Sequence, residues 1–145
     1  MARLFPFAVA FLVILAAPLN AQGFFFATGD SSLDVSLNSI NVQAEGDSGA
    51  YVSELSVSFG VPQPQIRTWM TVERLQPAEV YLVLELGRIA ARPPATVIEM
   101  HRKYRGKGWG VVARALGIRP GSPEFRALKT SADERDRKLR MKKGR

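Results

Sequence analysis

The chain has 145 residues, no cysteine, one histidine and a formal net charge of +7, with 46% hydrophobic and 23% charged residues. That length fits one domain with a small appendage. The missing cysteines exclude a disulfide-stapled miniprotein, thiol nucleophiles, thiolate metal sites and a lipid anchor on an N-terminal cysteine, so stability rests on an ordinary apolar core.

Residues 1–21 read as a secretory signal peptide. Arg3 gives the basic start, Leu4 to Ala17 form an apolar stretch, and Pro18-Leu19-Asn20-Ala21 end in a small residue before Gln22. The apolar stretch is 14 residues long, short of the roughly 20 that a transmembrane helix needs. Cleavage after Ala21 leaves a mature chain of 124 residues, expected in the periplasm or secreted. No transmembrane segment is expected after that cleavage, because the most apolar later run, Val80 to Leu84, is stopped by Glu85 and Arg88.

Residues 22–30 are expected to be a flexible N-terminus. They carry the aromatic triplet Phe24-Phe25-Phe26, which either folds back on the domain or stays exposed. Residues 31–129 form the expected helical domain. From Ser31 to Ala44 the positions Leu33, Leu37, Ile40 and Ala44 repeat at helical spacing, although Leu33, Val35 and Leu37 also alternate as a strand would. After a loop at Glu45 to Gly49, Val52, Leu55 and Phe59 share a helical face that Gly60 terminates. Pro64 opens a helix with Ile66, Trp69 and Met70 inward. Pro77 starts the next, apolar nearly all round from Val80 to Ile89 and therefore central. Pro93-Pro94 restarts the chain in a helix to about Tyr104 with Val97, His101 and Tyr104 on one stripe. Trp109, Val112, Ala113 and Leu116 define a further helix stopped by Gly117, and Ser122-Pro123-Glu124 cap a last one holding Phe125 and Leu128. The fold class is all-α, a compact array of six or seven short helices.

Charge is divided along the chain. Residues 22–99 hold four arginines and nine acids, whereas residues 100–145 hold fifteen Lys or Arg and four acids. The last sixteen residues, 130–145, have seven Lys or Arg and few apolar residues beyond Leu139 and Met141, which predicts a disordered basic tail. Such a tail either attracts polyanions, which outside the cytoplasm are anionic lipid head groups, lipopolysaccharide, acidic glycans or extracellular nucleic acid, or serves only as a solubilising terminus.

Residues 55–62 and 112–119 share a pattern: apolar, small, two variable positions, apolar, glycine, then a β-branched residue. Glycine takes the positive-φ corner and the apolar residues seal the angle between two helices. The first copy, continued to Ile66 and Trp69, resembles the helix-turn-helix of bacterial DNA-binding proteins. Its would-be reading helix carries only Gln65, Arg67 and Thr68 as base-contacting side chains, with few cations around it, so packing is the favoured use of these corners.

Arg105-Gly106-Lys107-Gly108-Trp109-Gly110, followed by Ala113, Leu116-Gly117-Ile118, Pro120-Gly121-Ser122, Phe125 and Leu128-Lys129, resembles the C-terminal signature of a family of small exported proteobacterial proteins of unassigned function. The similarity extends back through Phe59-Gly60-Val61-Pro62 and Gln76-Pro77-Ala78. In that family a histidine commonly follows the signature phenylalanine, and here Arg126 stands in its place. The resemblance implies an exported helical domain and no particular activity.

No catalytic set is complete in the sequence. His101 has no partner cysteine or second histidine for zinc, no Gly-x-Ser-x-Gly elbow presents a serine, and no acidic run has calcium-loop spacing, so neither a metal nor a cofactor is expected. The most site-like stretch is Gly106 to Gly110, whose glycines expose backbone N–H groups at a helix start beside a lysine and a tryptophan. Alternatively Trp109 plugs the core and the glycines make a tight turn. Together with Arg102, Lys103 and Arg105, the residues Gly106, Lys107, Gly108 and Trp109 form the candidate anion-binding set. The leading functional expectation is an exported binding or adaptor protein that engages an anionic envelope component or another envelope protein. An envelope glycan hydrolase using paired carboxylates is the alternative, and a nucleic-acid-binding helix-turn-helix protein the third.

Overall fold

The computed structural model describes residues 25–144 and is all-helical there, with seven helices and no strand among the described residues. The signal-peptide assignment to residues 1–21, and Phe24 of the aromatic triplet, lie outside the described residues. The helices are α1 (Ser31–Gly46), α2 (Ser48–Phe59), α3 (Gln63–Thr71), α4 (Pro77–Ala90), α5 (Pro94–Lys103), α6 (Trp109–Ala115) and α7 (Pro123–Lys143).

Punctuation residues set the boundaries. Asp30 accepts from Leu33 N–H to cap α1, Asp47 accepts from Ala50 N–H to cap α2, and Ser122 accepts from Phe125 N–H to cap α7. Gly60 follows α2 in the left-handed conformation at φ 66°, and Gly117 follows α6 at φ 84°. Both repeated corners are therefore helix–glycine–helix turns. Residues 31–46 are helical, because Leu33, Leu37, Ile40 and Ala44 fall on one buried face and Val35 is left exposed. The loop expected at 45–49 shrinks to Asp47 alone, whose side chain starts α2 directly after α1 ends.

Helix α4 is the centre of the array. Its residues 77–87 are all buried, and it packs against α1, α3, α5 and α7. A helix start buried this deeply needs partners for its orphan N–H groups. Asn41 Oδ1 accepts from Ala78 N–H at 2.7 Å, Glu79 Oε2 accepts from Gln76 N–H at 2.8 Å, and Tyr51 OH donates to Pro77 O at 2.8 Å. Helices α1 and α2 thus hold the start of α4 in place, which fixes Glu79 on its first turn.

Two expectations are corrected. The segment 130–145, expected to be a disordered basic tail, is helical through Lys143 as the last two thirds of α7, which lies along α1. Phe125, Leu128, Ala132 and Leu139 form a buried stripe down it, so few apolar residues suffice when they recur on one face. Polar links complete the seam: Ser36 Oγ donates to Asp133 and Ser39 Oγ to Asp136, each at 2.5 Å, and Lys129 pairs with Asp30 at 2.8 Å. Glu54 of α2 receives Arg135, Lys138 and Lys142 at 3.3, 3.3 and 2.7 Å. The second correction is at the N-terminus, where residues 25–30 are not a loose leader to the domain. Phe26 is fully buried and Thr28 is tied by its hydroxyl to Asp34 at 2.7 Å, although Phe25 points outward.

Candidate functional site

The N-terminal strap of residues 25–30, the turn after α3, the start of α4, the end of α5 and the loop before α6 enclose a cleft of about 610 Å³. Its floor is built on Glu79, which is 5% exposed. Trp109 Nε1–H donates to Glu79 Oε1 at 3.0 Å, and His101 Nε2 lies 3.5 Å from the same oxygen. The imidazole stacks on the indole with ring centres 4.6 Å apart and planes 17° from parallel. Burial alone would raise the Glu79 carboxyl, but hydrogen bonding from His101, Gln76 N–H and Trp109 outweighs it and holds the group below its ordinary value. Glu79 is therefore an ionised anchor for two rings, not a proton donor.

The glycines around Trp109 serve the strap. Trp109 N–H donates to Phe26 O at 2.8 Å and Gly110 N–H to Ala27 O at 3.0 Å. A Cβ on Gly108 would lie 2.5 Å from Ala27 Cβ, and one on Gly110 would lie 2.6 Å from Thr28 O. Of the two readings of this stretch, the geometry is that of the plug: Trp109 is 3% exposed, and its N–H and that of Gly110 are occupied by the protein's own backbone.

Of the sequence-derived set, Arg105, Gly106, Lys107, Gly108 and Trp109 line the cleft. Arg102 and Lys103 stand on the last turn of α5 beside it. The Arg102 guanidinium forms a two-pronged ion pair with Glu73, one arm being Nε to Oε2 at 3.0 Å, and Lys103 Nζ sits 5.4 Å from the Tyr104 ring centre. Arg102 holds the Glu73 carboxyl below its ordinary value. The cleft also contains residues that periodicity did not single out: Phe25 and Ala27 from the strap, Val72 and Arg74 from the turn after α3. Ala27 and Arg74 have φ of 51° and 56°, a conformation uncommon for side chains with a Cβ.

Chemically the cleft pairs a satisfied floor with a cationic rim. Its two acids, Glu73 and Glu79, are both held below their ordinary values, whereas acid-assisted glycoside cleavage needs one carboxyl raised. No group of three His, Cys, Asp or Glu suited to a metal ion occurs among the described residues, and none of the helices described there is long and apolar enough to cross a membrane. No family model, curated protein or solved structure matches the chain.

Proposed function

We propose that this protein is an exported helical binding or adaptor protein that engages an anionic partner at the cell envelope through the cleft over Trp109. The observation that carries this reading is the rim formed by Arg74, Arg105 and Lys107, all exposed, around a floor whose carboxylates already have partners of their own. An anion entering there meets cations without displacing an internal pair. The contrast with α7 supports the assignment: Arg135, Lys138, Arg140 and Lys142 face Glu54 or Asp136 within the fold, so much of the C-terminal charge is already engaged. The apolar leader and the family resemblance support export.

The test is capture of the chain from Gln22 onward by envelope fractions at low and at raised salt. Salt-sensitive capture is expected for the wild type, lost in R105E/K107E and kept in R137E/K143E, whose charges lie on exposed positions of α7. Capture unchanged in R105E/K107E overturns the reading. Charge reversal is the right perturbation, because deleting residues 130–145 would remove two thirds of a packed helix.

A further inference from the structure

We infer that the mouth of the Trp109 cleft docks on the surface of an anionic lipid bilayer, with Arg74, Arg105 and Lys107 around a lipid phosphate and with Phe25 and Val72 entering the headgroup layer. The inference rests on the anionic-partner reading above and names the source of the anion. Phe25 is 82% and Val72 71% exposed, and both line the same cleft as the three cations. They arrive from segments far apart in sequence, so the fold gathers them onto one rim.

Exposed apolar side chains with no other role are normally scattered singly. Here the remaining ones differ in setting. Val35, Val42 and Val57 stand on α1 and α2, which contain no Lys or Arg, and Met141 stands beside α7 cations that face Glu54 and Asp136. The cleft rim joins apolar reach to exposed positive charge, part of which, Arg105, also attracts the Glu73 carboxylate, and this is the combination that an interface of acyl chains beneath anionic headgroups selects. Tyr104 lines the same mouth and adds an amphipathic ring of the kind suited to that depth.

The test is co-sedimentation of the chain from Gln22 onward with vesicles of phosphatidylglycerol and phosphatidylcholine, against phosphatidylcholine alone. Wild type is compared with F25S/V72S and R105E/K107E, each checked for native helix content. Binding to the anionic vesicles is expected, weakened at least about tenfold in F25S/V72S and in R105E/K107E, and poorly competed by inorganic phosphate. F25S/V72S binding like the wild type, or displacement by inorganic phosphate alone, overturns the bilayer inference and leaves the anionic-partner reading standing. The same holds if anionic vesicles are ignored while envelope capture persists. Binding and capture both unchanged in R105E/K107E overturn the two together.

Discussion

An alanine at Gly110 would bring its Cβ within 2.6 Å of Thr28 O and 3.1 Å of Ala27 O, and these atoms belong to the strap that Gly110 N–H itself holds. The strap cannot retreat without losing that hydrogen bond and the one from Trp109 N–H, so steric relief and bond loss are the same movement. Gly117 provides the control. Its φ of 84° makes alanine strained, yet nothing lies within 4 Å of the added Cβ. G117A is therefore expected to cost about 1 kcal/mol, the left-handed penalty alone. G110A is expected to cost about 2–3 kcal/mol, since a buried contact and a backbone bond are lost together. Urea denaturation of both variants checks this. Equal costs would mean that the strap is not held against the Trp109 loop as described. G110A also displaces Phe25 and Ala27, so the cleft mouth changes along with stability.

At the scale of elements, α7 shows what a polar helix needs in order to dock. Phe125, Leu128, Ala132 and Leu139 recur at spacings of three, four and seven, with Arg135 at the remaining position of the stripe and its guanidinium 4.9 Å from the Tyr81 ring centre. Charged residues on the other faces need no burial. L139A is expected to cost about 2 kcal/mol, the low end for a buried leucine near a helix end, while R137E on the exposed face should stay within about 0.5 kcal/mol of wild type. Thermal or urea unfolding separates the two, and a silent L139A would contradict the docking of this half of α7. The same stripe explains why the segment was misread in sequence: composition counts apolar residues, whereas docking depends on their register. Elsewhere the sequence is explicit. Gly60, Gly117, Pro77, Pro94 and Ser122 mark helix ends through φ preferences and caps that act locally. The site was legible only in part. The loop from Arg105 to Trp109 stands out by composition, but Glu79 sits on the first turn of α4 just ahead of its apolar run, and Arg74, Val72 and Phe25 reach the cleft through turns that no periodicity reports. Even the glycines, readable as a ligand cradle, make room for backbone that lies about eighty residues earlier.

Across the whole molecule, folding packs acids of the segment 22–99 against cations of the segment 100–145, and the closure makes stability depend on pH. Asp30 accepts from Lys129, Glu54 pairs with the three α7 cations, and Glu79 is surrounded by hydrogen-bond donors. Hydrogen bonding to Lys129 holds Asp30 far below its ordinary 3.8. For Glu54, burial pushes upward but Lys142 and Lys138 prevail and hold it below 4.5. In each case the folded state binds protons less readily than the unfolded chain, so the stabilisation is complete above the ordinary carboxylate values and is lost as pH falls through them toward the depressed ones. Stability is therefore expected to be flat from pH 7 down to about 5 as far as these groups decide it, and to fall steadily below about 4.5. E54Q isolates one contribution. It should lower stability by about 1 kcal/mol at neutral pH, a figure kept small because Lys138 and Lys142 are 55% and 58% exposed and their attraction is screened. Below pH 4 the variant and the wild type should converge, because the wild-type carboxyl is then being neutralised too. Urea denaturation at a series of pH values measures both curves. A constant gap at every pH would mean that Glu54 contributes through packing, and that the charge division between the two segments of the chain does not stabilise its fold.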